Sequence, residues 1–191
     1  MEIKLPPPKL DGKMSVEKAI YLRRSIRSYK KRELTWEEIG QLLWAGQGIT
    51  DKKRGFRAAP SAGATYPLEL YIIIKDGIYH YIPNEHKLIK IKDGNFKKDL
   101  YEACLHQDWV FEAPLNIIIT ANFERTTRYY GERGIRYVWI EAGHVAENIH
   151  LQAVALGLGS VPIGAFYDNK IKEILGVKEA PLYVIPVGEP K

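Results

Sequence analysis

The sequence predicts an α+β domain, a central and mainly antiparallel sheet flanked by helices, and three observations carry that expectation. "LELYIIIKDGIYHYI" followed by "NEHKLIKI" alternates apolar runs with tight-turn residues, so three short strands should follow one another as a meander. "TWEEIGQLLWAG" combines a helix-start signal with an apolar stripe at helical spacing. Ile135 to Leu156 has helical length, with apolar or small residues round much of its circumference. A chain of 191 residues with 46% hydrophobic content can bury a sizeable core, and without an internal repeat or linker it reads as one domain, 1–191.

Taken in order, residues 1–14 ("MEIKLPPPKLDGKM") form an extended Pro-rich arm and lack the apolar core of a signal peptide. Ser15 is a good N-cap and Glu17 suits a first turn, which predicts a helix from Val16 to Arg24. Thr35 and Glu38 make a capping box for a second helix, with Ile39, Leu42 and Leu43 as its stripe and Gly46 as its stop. Asp76-Gly77 is the turn of the first hairpin. "FKKDLYEACLHQ" reads as helix, "PLNIIITAN" as a buried strand and "APLYVIPVG" as another near the C-terminus. The long segment ends at Gly157, where a left-handed cap would sit, and a short helix follows Asp168. A helix apolar on so many sides should be buried on more than one, in a core or a dimer interface.

Composition narrows the function classes. The net charge of +5 leans on "YLRRSIRSYKKR", so a local basic site is better supported than a nucleic-acid surface, for which only Tyr21 and Tyr29 would supply aromatics. Cys104 is the one cysteine, which excludes an internal disulfide or a cysteine-built metal site and fits a reducing cytoplasm; it reads as a buried bystander. The five histidines show no ligand spacing. Glu141, His144, Glu147, Asn148, His150 and Gln152 interrupt the long apolar segment, which therefore does not read as a membrane span.

Three segments can carry chemistry. In Arg23-Arg24-Ser25-Ile26-Arg27, guanidinium forks and a hydroxyl match phosphate oxygens; alternatively, the same residues simply offset a helix dipole at its C-terminus. "AAPSAGATYP" is rich in small residues that let backbone N–H groups approach a ligand, and "GLGSVPIGAFYD" is either a second such loop or a tight connection. "GQG" at Gly46 to Gly48 follows a helix rather than a strand, so it is no dinucleotide fingerprint.

These segments, in this order with "KLPPPKL", "LLWAGQGIT" and "LYVIPVG", resemble the FMN-dependent nitroreductase superfamily, and within it the SagB-type branch that includes azoline oxidases. The resemblance runs from Lys4 to Gly188. It implies an obligate homodimer with two FMN sites in the interface, NAD(P)H as hydride donor and a small conjugated acceptor such as a nitroaromatic or quinone. Arg23, Arg24 and Ser25 would hold the phosphate and ribityl chain, and Arg27 the N(1) and C(2) carbonyl edge of the ring, with Lys30 to Arg32 as a solvated tail. Pro60, Ser61, Ala62 and Ala64 would come from the partner. Pro162, Ile163, Gly164 and Ala165 would lie along one ring face, with a Gly164 or Ala165 N–H toward N(5). The chain departs from the pattern in three places. Ala64 stands where many members carry an amide; Lys191 is the one basic residue after the last strand and either substitutes as a phosphate ligand or belongs to a frayed terminus; and Tyr129-Tyr130 replaces the Lys-Tyr pair of azoline oxidases. A phenol with a reference pKa of ~10 is a poorer base at neutral pH than a desolvated lysine amine, so a general reductase is favoured over an azoline-type dehydrogenase or oxidase. A non-catalytic flavin- or anion-binding module is the third possibility.

Overall fold

Seven strands make one sheet in the order β1-β6-β5-β4-β7-β9-β8, and every neighbouring pair is antiparallel. They are β1 (Glu2–Lys4), β4 (Leu68–Ile74), β5 (Gly77–Ile82), β6 (Lys87–Asp93), β7 (Leu115–Ala121), β8 (Gly159–Ser160) and β9 (Ala180–Gly188). A small hairpin of β2 (Ile49–Asp51) and β3 (Phe56–Arg57) lies apart. The computed structural model describes residues 1–191.

Alternation along the central strands builds two cores. Leu70 and Ile72 of β4 and Ile117 and Ile119 of β7 face α2 (Trp36–Gln47) and α6 (Arg133–Ala155), through Leu42, Leu43, Val138, Val145 and Ile149. Tyr71, Ile73 and Ile118 face the other way, toward α3 (Lys97–Ala103), α4 (Asp108–Glu112) and α7 (Asp168–Leu175). Helices on both faces explain why β7 reads as a continuous apolar run and is buried at every position. Cys104 belongs to the second core, where burial pushes its thiol up to about 12. No helix is long and apolar enough to cross a membrane.

The capping box at Thr35 and Glu38 is present in both directions, and α2 starts where expected. Gly46 does not stop it. The helix runs to Gln47, and Gly46 instead lets α2 approach α6, since a Cβ there would meet Ile149 Cδ1 at 3.1 Å. The first hairpin turns one residue early: Ile74 pairs with Gly77, so Lys75-Asp76 forms the turn. A Cβ on Gly77 would lie 2.5 Å from the Lys92 carbonyl oxygen, which makes this glycine a close-approach residue. The N-terminal arm is not wholly extended coil, because β1 pairs with β6. Helix α3 ends four residues short, as Leu105 and His106 both adopt a φ of 58°.

Helix α1 (Val16–Leu22) is shorter than its sequence suggests. Arg23 leaves it at ψ 126°, and Ile26 then donates its N–H to the Ser160 carbonyl at 3.0 Å. The basic residues therefore stand past the end of the helix, although the Arg24 guanidinium still caps the free Tyr21 carbonyl of α1, as the helix-end alternative expects. Helix α6 begins two residues before Ile135 and ends with Gly157 left-handed at φ 73°. Within one chain it is buried on a single face, and Ile135, Trp139 and Ile140 on the opposite side remain 45–53% exposed.

Helix α5 (Glu124–Tyr130) packs so closely on α6 that a Cβ on Gly134 would lie 2.9 Å from Thr127 Cα, a backbone atom that cannot swing aside. Gly134→Ala is expected to cost about 1–3 kcal/mol in urea denaturation. An unchanged midpoint would show that α5 yields freely.

Candidate functional site

The segment Arg23–Arg27 is held against the sheet end by backbone pairing. Ser25 forms a parallel bridge with Ser160, and Gly159 passes so near that a Cβ there would sit 2.6 Å from Ile26 Cβ. The Arg23 guanidinium approaches His150 Nε2 at 3.2 Å and Glu147 at 3.7 Å. Arg24 donates to the carbonyls of Tyr21 (3.1 Å) and Arg23 (2.6 Å), and Arg27 lies over the Trp109 ring at 5.4 Å. Neither Arg24 nor Arg27 makes an ion pair, whereas Arg32 pairs with Glu38 (2.9 Å) and Glu189 (2.7 Å), and Lys30 also pairs with Glu189. The tail of the basic run is thus a clamp between α2 and the end of β9, not a solvated cluster.

Beside that segment, Ile163 exchanges two backbone hydrogen bonds with Val184, at 2.8 and 3.0 Å, and is buried. Gly164 and Ala165 then turn to solvent. Gln107 donates to the Ala165 carbonyl at 3.0 Å, while the N–H groups of Gly164 and Ala165 have no partner in the chain. Pro162 is half-buried just before them. Arg27 is tied to this corner through Trp109, two residues from Gln107, whereas Arg24 turns its guanidinium back onto the carbonyls of Tyr21 and Arg23.

The Pro60–Ala64 loop is anchored elsewhere. Ser61 Oγ donates to Glu141 Oε2 at 2.6 Å and accepts the Tyr66 N–H at 3.0 Å. Gly63, Ala64 and Tyr66 have φ of 59°, 51° and 44°, a strained shape for the latter two. Pro60 and Ala64 are exposed, Ala62 is half-buried, and the Tyr130 hydroxyl sits where a Gly63 Cβ would be, at 2.6 Å. Tyr130 packs edge-on against Tyr137 at 5.2 Å, and Tyr129, 66% exposed, lies under the Arg128 guanidinium.

Both segments lean on α6, at different stations. Glu141 meets the Pro-Ser loop and His150 meets Arg23; nine residues separate them, roughly 13 Å of helix and about half a turn in direction. One chain thus holds the Arg23–Arg27 and Pro60–Ala64 segments on opposite flanks of α6. Lys191 joins neither: its ammonium pairs with Glu112 at 3.1 Å and its N–H reaches the Ser28 carbonyl, so the C-terminal residue is tied down and not frayed.

Sequence reading passed over Glu141 and His150 as functional residues. Each showed only as a polar break in an apolar helix. Burial raises Glu141 to about 7, against the lowering influence of the Ser61 hydroxyl, the Arg57 charge and the Gln47 amide. Burial, helped by Arg23, holds His150 down to about 4.

The sequence profile of the Nitroreductase family matches residues 20–189. The chain belongs to the nitroreductase family. Among relatives, a Methanocaldococcus jannaschii protein named as a nitroreductase is 48% identical over 194 residues, covering 98% of this chain and 96% of its own. The Bacillus subtilis protein named FMN reductase [NAD(P)H] is 25% identical over 185 residues, 91% of this chain and 63% of the relative. A solved Ralstonia eutropha structure named as a nitroreductase superposes with TM-score 0.91 at 27% identity, covering 100% of this chain and 90% of that one. The α+β sheet with its long helix is accordingly the nitroreductase fold.

The raised Glu141 carboxyl should make the stability of this nitroreductase depend on pH. Between pH ~4.5 and ~7 the folded chain keeps a proton that the unfolded chain has released, so stability falls as pH rises through that window. Glu141→Gln should raise stability by on the order of 2 kcal/mol above pH ~7 and change it little below pH ~4.5. Thermal unfolding of both proteins across this range checks it; a pH-independent difference would remove the buried carboxyl as its source.

Proposed function

We propose that this chain is an FMN-dependent NAD(P)H oxidoreductase working as a homodimer, with a conjugated small molecule such as a nitroaromatic or quinone as acceptor. The observation that carries the reading is Arg27, free of any acidic partner and lying over Trp109, two residues from the Gln107 that holds the Ala165 carbonyl beside the free N–H groups of Gly164 and Ala165. A flavin mononucleotide needs cations for its phosphate and for the reduced ring edge, and backbone donors on the ring. The residues present fit the group. Arg23, Arg24 and Ser25 would hold the phosphate and ribityl chain, Arg27 would face the anionic edge, and Gly164 or Ala165 would donate toward N(5). Bound there, FMN would relay hydride between a reduced nicotinamide and the acceptor.

The chain's own residues do the orienting. Trp109 gives the Arg27 guanidinium an aromatic neighbour that leaves its charge uncancelled. Pro60, Ser61, Ala62 and Ala64 would close the site from the partner, because within one chain they sit on the other flank of α6. The exposed Ile135, Trp139 and Ile140 give that association an apolar face, and helix α1 adds Val16, Ile20 and Tyr21. Tyr130 would shape the acceptor pocket from beside Gly63.

The purified protein should be yellow and release FMN on denaturation, and Arg24→Ala should weaken FMN binding about tenfold or more by fluorescence titration. A colourless protein that takes up no added FMN would remove the reading. Gly143 is exposed on the outward side of α6, and a Cβ added there would meet nothing within 4 Å, so the Gly143→Arg side chain should extend into solvent in the single chain. It should convert a dimer to a monomer in sedimentation and weaken FMN binding in parallel; a wild-type monomer that holds FMN would contradict the shared site. Tyr130→Phe should alter acceptor preference while flavin reduction by NAD(P)H stays nearly intact in stopped flow. Normal flavin reduction with abolished oxidation of an azoline peptide that wild type uses well would favour the azoline-type dehydrogenase instead.

A further inference from the structure

We propose that His150 is a positioning residue for Arg23: a neutral imidazole, locked by Ser160, that aims the guanidinium at an anionic phosphate without cancelling its charge. This rests on reading Arg23–Ser25 as the phosphate-holding segment.

The donors available at this contact fix the tautomer of the ring. Every N–H of a guanidinium is a donor, so at 3.2 Å from Arg23 Nη1 the His150 Nε2 must be the acceptor. A neutral imidazole has one lone pair and one N–H, and the proton therefore sits on Nδ1, which faces Ser160 Oγ. His150 is 2% exposed and Ser160 1%, so the ring has no water to turn toward. Its orientation is set from behind by β8 and passed forward to the arginine. Ser160 also accepts the Ile26 N–H through its carbonyl. One residue thus fixes both the backbone of the Arg23–Arg27 segment and the ring that holds the Arg23 side chain.

The chemistry of the orienting group matters. A carboxylate in its place would orient the guanidinium equally well but would neutralise it and compete with an incoming phosphate. An uncharged ring leaves the full positive charge available. Glu147 does not fill the carboxylate's role: it is 3.7 Å from Arg23 Nε with its side chain 52% exposed, a geometry in which an ion pair contributes little. The remaining guanidinium N–H groups, on a side chain 34% exposed, are open to a ligand.

The test compares FMN with riboflavin, which carries the same ring and no phosphate, by fluorescence titration of the apoprotein. Wild type should prefer FMN strongly. His150→Leu, which is close in volume and accepts nothing, should reduce the FMN-to-riboflavin affinity ratio about tenfold, with riboflavin affinity unchanged. His150→Gln, which returns a neutral acceptor toward Arg23, should recover part of that loss. An unchanged ratio in His150→Leu, or an equal fall for both ligands, would overturn the proposal, since a merely structural residue moves both alike. Should His150→Leu fail to fold, Ser160→Ala decides: freeing the ring must lower the same ratio, and an unaltered ratio rejects the relay. A wild type with no preference for FMN would instead remove the parent reading of Arg23–Ser25.

Discussion

The close packing of α6 against the sheet and α2 is the constraint on which the rest depends. A methyl group on Gly46 would press on Ile149 Cδ1 at 3.1 Å and Leu70 Cδ1 at 3.3 Å, so α2 and α6 meet closely, and the flanks of α6 become walls to which other segments attach. The Pro-Ser loop attaches through Glu141 and the arginine segment through His150. A helix anchored less firmly would give neither a fixed position. Because 23 residues are packed as one rigid rod, the spacing between the two attachments is set by helix geometry alone.

The treatment of charge divides the basic residues into two kinds. Arg32 is bracketed by Glu38 and Glu189 and serves the fold, joining the start of α2 to the end of β9. Arg24 and Arg27 have carbonyl oxygens and an indole for neighbours, which orient cations but do not neutralise them. The two buried titratable groups on α6 follow from the same scarcity of water. Glu141 tends to keep its proton and His150 to stay without one, each shedding charge because burial penalises it.

What was legible in the sequence was whatever local chemistry decides. The capping box of α2, the meander of β4 to β6 and the buried strand β7 were all readable, since their signals lie within a few residues of one another. Elements decided by distant partners were not. Leu22-Arg23-Arg24 has good helix propensity, yet the chain leaves the helix there to pair Ile26 with Ser160. Strands β1 and β8 are too short to show a period. The three candidate segments were found from residue type and order, but Ser61 and Glu141 are 80 residues apart and Arg23 and His150 127, so nothing local linked the anchors to what they hold. The Lys30–Arg32 tail read as solvated because its partner Glu189 lies just past the last strand, 159 residues from Lys30, and Lys191 likewise finds Glu112, 79 residues back.

The outermost strands of the sheet have a consequence for how copies of this chain can meet. An uncovered strand edge invites another chain to add to it. Here β1 pairs with β6 from Lys87 to Ile89, Lys90 donates its N–H to the Met1 carbonyl, and the ammonium groups of Lys90 and Lys92 are already held by Asp93 and by the carbonyls ending α7. At the opposite border β8 is two residues long, and Ile26 occupies the Ser160 carbonyl on its outer side. Both borders are blunted against the addition of a further strand, which leaves the helical faces as the surfaces through which copies of this chain would meet.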